Sequence, residues 1–582
     1  MEVQRRIRGG LLKYDSRTYD QPNSRFFVNK LIAALAEDIV KAYGKDGEQA
    51  MLFPGPGAAN RCLEFVVRTA DSLPRSSIRI VDLVMDPKKM TTESLKIAAP
   101  SVSAVIFPKE FFSVAKQYWQ HSGDGISSRR GEFCHGLLQE GLLVEKSTLK
   151  QAVEEQPTFH KGPKRYRRGA SIDKTCSPPK IAGSASNGTS EKSPSASNAD
   201  KEFSQFVEER FGRNLDVTFL DNAKSAIKRR IAGSLVGSVD LSTGFSSTMD
   251  ASARGVSGLS EDDVYLYPCG MNAIFNAHQL LMQTREPLKS ISFGFPYVDT
   301  LKILQKFGPG CLFYGNGCSE DLDDLEKRLE SGERYLALFA EFPGNPLLKS
   351  PDLLRIRKLS LKYDFAVVID ETIGNFININ VLPHVDIVVS SLTKIFTGEC
   401  NVMGGSAIFN PTGPHYSKLT EIAKTQYEDN YWAEDVLFME RNSRDFISRI
   451  ERINHNAEVI SDLLGSSSVV KQVYYPKCVP SREFYDACRT PTGGYGGLLS
   501  VTFNTKAQAV AFFDRIDTAK GPSLGTNFTL TSPYVVLAHF MELDWASQFG
   551  VDPDLVRISI GLEETTLLKE VFEQALTAAG EA

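Results

Sequence analysis

Asp386-Ile387-Val388-Val389-Ser390-Ser391-Leu392-Thr393-Lys394 is the stretch that decides the fold. An apolar run ends abruptly in hydroxyls and a lysine, and glycines follow at 398, 404 and 405. This predicts a buried strand that delivers Lys394 and its neighbouring hydroxyls to one point. A lysine amine is a poor nucleophile at its free pKa of about 10.4, and a strand end inside an α/β core supplies the desolvation that lowers it. Taken alone, S-x-T-K also occurs in ordinary exposed loops, so the surrounding chain has to decide. Upstream, Phe365-Ala366-Val367-Val368-Ile369 is the continuous apolar run of a strand buried on both faces, and it ends in Asp370-Glu371-Thr372.

Asp370 therefore stands at the carboxyl edge of a central strand, where open α/β sheets bind ligands. An aspartate there can simply cap the next helix. Paired with Lys394 it points to pyridoxal 5'-phosphate, with the lysine as the attachment point and the aspartate facing the pyridine nitrogen.

Length and composition are compatible with this reading. The chain has 582 residues, 42% of them hydrophobic, room for about three to four domains. A net charge of −5 gives no general pull towards nucleic acid or an anionic membrane. The nine cysteines are scattered without a C-x-x-C pair, so neither a disulfide framework nor a metal ribbon is expected. The basic start Met1–Arg8 has no apolar signal core behind it, and no long apolar span follows. The expectation is a cytoplasmic protein with no membrane and no nucleic-acid partner. The basic cluster Lys161–Arg168 is compatible with nuclear import but reads better as solvated linker charge.

Several motifs in order resemble the Cys/Met-metabolism pyridoxal-phosphate enzymes, fungal-type branch. They are Gly270-Met271, Tyr297, Glu341-Phe-Pro-Gly-Asn345-Pro346, Asp370, Ser391-x-Thr393-Lys394, Met403-Gly404-Gly405, Ser523-Leu524-Gly525 and Arg557-Ile-Ser-Ile-Gly561-Leu-Glu563. The resemblance runs from about residue 201 to the C-terminus. It implies a fold-type I, aspartate-aminotransferase-like α/β domain with a mostly parallel sheet and a smaller C-terminal α+β domain. It also implies site roles. Gly270, Met271, Ser391 and Thr393 would hold the cofactor phosphate, joined by Arg213 reaching in from a second subunit. Tyr297 would stack on the pyridine ring, Asp370 and Lys394 would act as above, and Asn345, Ser523 and Arg557 would bind substrate. Phe211 replaces the tyrosine that the family carries two residues before this arginine. The implied activity is γ-replacement on an O-acylhomoserine by cysteine, in transsulfuration and methionine biosynthesis, by a homodimer or homotetramer. Another nucleophile, sulfide or carbon, a lyase reaction on cystathionine, or a non-catalytic scaffold are the competing expectations.

Along the chain, residues 1–160 read as an N-terminal α/β extension, structural or regulatory. Its expected elements are a helix over Phe26–Tyr43, strands over Ile78–Val84 and Val102–Phe107, and a helix over Phe111–Trp119. Arg25-Phe26-Phe27 followed by Leu52-Phe53-Pro54-Gly55-Pro56-Gly57-Ala58-Ala59 echoes Arg210-Phe211-Gly212-Arg213 followed by Tyr267-Pro268-Cys269-Gly270-Met271-Asn272-Ala273, either as a degenerate copy of the enzyme's entry segment or as chance reuse of a turn that opens a helix. Nothing in the extension matches Asp370 or Lys394, so no cofactor of its own is expected. Residues 161–200 are rich in small and polar residues and read as a flexible linker. The cofactor domain is expected over 201–445 and the small domain over 446–582. Helices are expected over Phe203–Phe211 and Leu220–Ala232, and one long helical region over His415–Leu464.

Overall fold

The computed structural model describes residues 27–70, 73–90, 92–149, 217–237, 239, 241 and 254–582. Arg213, Phe211, the Phe203–Phe211 helix and the 161–200 linker lie outside the described residues.

At the centre is a seven-stranded sheet made of β5 (Val264–Tyr267), β6 (Ser290–Phe293), β7 (Cys311–Tyr314), β8 (Ala337–Glu341), β9 (Ala366–Asp370), β10 (Ile387–Ser391) and β11 (Gly405–Phe409). Their order is β5-β11-β10-β9-β8-β6-β7. β7, β6, β8, β9 and β10 run parallel, and β11 runs against both β10 and β5. The two apolar runs of the sequence are its middle. Ala366–Ile369 and Ile387–Val389 are buried, as parallel strands covered by helices on both faces must be. The register sets Glu341 beside Asp370, Asp370 beside Val389, and Ser391 beside Gly405, so the polar ends of the strands meet at one sheet edge.

The expected long helical region is three helices: Tyr416–Gln426, Ala433–Asn442 and Phe446–Gly465. The first break falls at the polar run Glu428-Asp429-Asn430. The second falls at Asn442, whose side-chain amide leaves the helix to donate to Thr397 and Asn401. Beyond them a five-stranded sheet contains β12 (Val470–Tyr474), β13 (Leu498–Phe503), β14 (Ala519–Lys520), β15 (Leu530–Ser532) and β16 (Val556–Ser559), ordered β12-β13-β16-β15-β14. It is antiparallel except for the β14–β15 pair, and the helices Lys506–Arg515 and Thr565–Gly580 pack together beside it.

The N-terminal extension has a sheet of its own, β1 (Glu48–Phe53), β2 (Arg79–Met85), β3 (Ser101–Pro108) and β4 (Leu143–Glu145), ordered β1-β3-β2-β4. One face packs on the helix Lys30–Tyr43 through Leu35, Ile39, Leu83 and Ile106. On the other side, Phe65 and Tyr118 join the core of the large sheet's helices. Phe65 stacks on Phe307 with centroids 5.0 Å apart, and Tyr118 meets Phe275 edge-on at 6.2 Å. Each such pair contributes about 0.5–1.5 kcal/mol beyond its buried area. Residues up to Val144 thus form one compact unit with Asp216–Ala582, while Glu145–Leu215 forms a second, described only at 145–149.

Candidate active site

Lys394 follows β10 in a turn whose backbone lies against Gly525. A Cβ on Gly525, at φ +69°, would come within 2.5 Å of the Ile395 nitrogen and 2.9 Å of the Lys394 Cβ, so only glycine fits. The Lys394 Nζ donates to Ser523 Oγ at 3.2 Å. Burial, followed by the nearby Arg557 charge, lowers its pKa to about 8. Ser523 also accepts from Arg557, through its carbonyl, at 2.9 Å.

Arg557 lies in β16 and is buried. It donates to Asn345 Oδ1 at 3.1 Å and to the Pro522 carbonyl, and its guanidinium lies over the Tyr534 ring with 4.2 Å from Cζ to the ring centroid. Asn345 Nδ2 in turn donates to the Tyr534 hydroxyl at 2.9 Å. Burial pushes Arg557 down to about 10, which leaves it cationic at neutral pH. The result is a fixed, partly desolvated cation shaped for a carboxylate.

Around the sheet edge, Asp370 accepts from the Thr372 amide at 2.8 Å, and burial raises its pKa. Glu341, its neighbour in register, accepts from the Tyr297 amide at 2.5 Å and the Asn345 amide at 3.0 Å. Burial, then the Asp370 charge, pushes Glu341 up to about 8. One carboxyl thereby fixes the backbone of both Tyr297, which caps the helix Val298–Lys306, and Asn345. The Thr372 hydroxyl accepts from the Ser391 amide at 2.7 Å. Gly270 opens the helix Gly270–Thr284 against this same strand end. A Cβ on Gly270 would sit 2.6 Å from the Ser391 Cβ, and one on Gly405 would sit 2.3 Å from the Cys269 carbonyl oxygen. The Thr393 hydroxyl bridges the Gly404 amide at 3.1 Å and carbonyl at 3.3 Å.

Of the residues expected from sequence, the structure brings Gly270 to Ser391, Lys394 to Ser523, and Arg557 to Asn345, and it links Tyr297 to Asn345 through Glu341. Met271, half-buried, follows Gly270 in the first turn and packs on the core. Sequence alone gives no role to Glu341, Thr372 or Tyr534. The first two lie inside the motifs around Asn345 and Asp370; Tyr534, after Pro533, carries no periodic or spacing signal.

This set fits pyridoxal phosphate. The helix start at Gly270, held against Ser391 without room for a side chain, offers the positive end of a helix dipole beside the Ser391 hydroxyl to an anion. Asp370 is a half-buried carboxyl whose hydrogen bonds come from neutral Thr372, so a cationic ring nitrogen would offset its desolvation. Lys394 supplies a desolvated amine.

The description "Cys/Met metabolism PLP-dependent enzyme" matches residues 255–577, and "Fungal trans-sulfuration enzyme, N-terminal domain" matches residues 31–127. The chain is 56% identical to a cystathionine gamma-synthase of Neurospora crassa, over 96% of this chain and 92% of that one. It is 40% identical to the cystathionine gamma-synthase-like enzyme iboG2 of Amanita muscaria, over 96% and 90%. It is 36% identical to a cystathionine gamma-synthase of Saccharomyces cerevisiae, over 95% and 90%. With its motifs gathered at one sheet edge and these matches spanning nearly its whole length, the chain belongs to the Cys/Met-metabolism family of pyridoxal-phosphate enzymes.

Proposed function

We propose that the protein is a cystathionine γ-synthase that joins an O-acylhomoserine, O-acetylhomoserine first, to L-cysteine by γ-replacement. One observation carries the reading: Lys394 and Arg557 both bond Ser523, a base beside a carboxylate anchor, in a chain 56% identical to a cystathionine gamma-synthase.

Bound pyridoxal phosphate supplies an electron sink for the charge that develops at the substrate's Cα. In our reading Arg557 and Asn345 bind the α-carboxylate, with Tyr534 holding the guanidinium flat beneath it. Ser523 steers the Lys394 Nζ. That amine, with its pKa near 8, takes the Cα proton and then a Cβ proton, so that the acyloxy group leaves Cγ as a carboxylate; the cysteine thiolate adds at Cγ and protons return to Cβ and Cα. Asp370 faces the ring nitrogen, Tyr297 lies against the ring, and Gly270, Met271, Ser391 and Thr393 hold the phosphate. Arg213 contributes a further phosphate contact to a second copy, which makes the active unit at least a homodimer.

The eight described cysteines are free thiols, which supports a reducing, cytoplasmic setting. Among the described residues no helix is long and apolar enough to cross a membrane.

The test is mass spectrometry of products after the cofactor-loaded protein receives O-acetylhomoserine with cysteine as the only nucleophile. Cystathionine is the expected product. 2-Oxobutyrate without cystathionine would replace the synthase by an elimination or a different acceptor.

A further inference from the structure

One short stretch of the N-terminal extension touches both helices that open onto the site. The helix Phe112–Ser122 ends in a turn at Gly123-Asp124. From there Asp124 Oδ1 and the Ser122 carbonyl accept from Asn272 Nδ2, at 2.7 and 3.0 Å. Asn272 is in the first turn of the helix that Gly270 begins. Asp124 is itself fixed by Arg61 at 3.2 Å and by the Tyr118 hydroxyl. Two residues back along the same stretch, Gln120 Nε2 and His121 Nδ1 meet Asp299 Oδ1, at 3.0 and 3.1 Å. Asp299 lies in the first turn of the helix capped by Tyr297, and its carboxylate also accepts from the Tyr297 side chain.

The chemistry of these contacts is unambiguous. Lys306 Nζ stands 3.3 Å from His121 Nε2 and can only donate, so Nε2 accepts and Nδ1–H donates to Asp299. His121, Asp124, Asn272 and Asp299 are all buried, where an unpaired polar group is costly, so each contact fixes its partner firmly. The turn admits no slack. Gly123 has φ +65°, and a Cβ on it would sit 2.7 Å from both the Asn272 nitrogen and the Cys269 Sγ.

We propose that Gln120–Asp124 is a positioning element of the active site. It holds the phosphate-facing helix through Asn272 and the Tyr297 helix through Asp299, and so sets the distance between the phosphate cup and the ring-facing tyrosine. Gln120, His121 and Asp124 are positioning residues that act through Asn272 and Asp299. The proposal rests on the reading of Gly270 and Tyr297 as cofactor contacts.

The test compares wild type with Gly123→Ala, His121→Ala and His121→Asn, full-length, as apoenzyme and after loading. Pyridoxal-phosphate affinity is read by fluorescence titration, and amide hydrogen exchange is read over 270–284 and 298–306. His121→Ala should weaken affinity about 3- to 30-fold and speed exchange in the first turn of 298–306. His121→Asn, whose amide can donate from the Nδ1 position, should restore both. Gly123→Ala should loosen the start of 270–284 and weaken affinity by at least as much. If it fails to fold, the two His121 variants decide. Wild-type affinity and wild-type exchange in His121→Ala, or an equal loss in His121→Asn, would overturn the proposal. The wild-type control separates the two readings: failure of wild type to take up the cofactor overturns the site assignment itself, whatever the variants do.

Discussion

The chain builds the same local device twice and uses it for different ends. β1 ends at Phe53 and, after a turn, the helix Pro56–Thr69 begins; β5 ends at Tyr267 and the helix Gly270–Thr284 begins. The caps share a conformation, Gly55 at φ −166°, ψ 175° and Cys269 at φ −160°, ψ 167°. Both helix starts carry the positive end of a dipole. They differ in what faces them. In the extension the Glu428 carboxylate stands beside the first turn, 1.6 Å from where a Gly57 Cβ would be. In the catalytic sheet the neighbour is Ser391, neutral and capable of sharing an anion. Each stretch is a turn opening a helix with a like-shaped cap, and in the proposed site the phosphate contact depends on the residue opposite the helix start, contributed by distant chain.

The strand end that faces Gly270 is where substitution should do the most damage. Lys394→Ala should lower turnover by about 1,000-fold or more, with thermal unfolding unchanged, measured by steady-state kinetics and calorimetry. Gly270→Ala introduces a methyl against backbone and side chain of Ser391 and should weaken cofactor affinity about 5- to 150-fold, the range expected of overpacking. Its counterpart Gly57→Ala meets only the movable end of Glu428 and should leave affinity unchanged, so equal effects at the two glycines would erase the distinction.

A smaller effect tests the electrostatics of the sheet edge. Glu341 holds its proton to about pH 8 in the folded apoenzyme but would release it near 4.5 when unfolded. Between those values the folded state binds more protons, so stability is greatest at the acid end and falls as pH rises towards 8. Glu341→Gln should flatten that fall in a denaturant series. Lys394, with its pKa near 8, predicts that covalent capture of the cofactor speeds up as pH rises through 8. Smallest of all, Glu428→Gln removes a charge from the helix start in the extension and should cost about 0.3–1 kcal/mol of stability without touching cofactor affinity.

What could be read from sequence was what lies close along the chain. The two apolar runs ending in Asp370 and Lys394 announce buried strands because parallel strands need no alternation, and glycines at 270, 405 and 525 stand where a Cβ collides. Contacts made across the chain left no such trace. Tyr534 meets Asn345 from 189 residues away, and His121 meets Asp299 from 178. The strand Glu48–Phe53 escaped because Glu-Gln-Ala-Met-Leu-Phe neither alternates nor runs apolar from its start. The helical stretch after His415 looked continuous because its apolar spacing survives the turns that divide it.

In the proposed site Lys394, and no other lysine, receives pyridoxal phosphate. Borohydride reduction of the loaded protein, followed by proteolysis and peptide mass mapping, tests it directly. One pyridoxyl group per chain is expected, on the peptide containing Lys394. A label on another lysine, or an unlabelled Lys394 in protein that binds the cofactor, would contradict it.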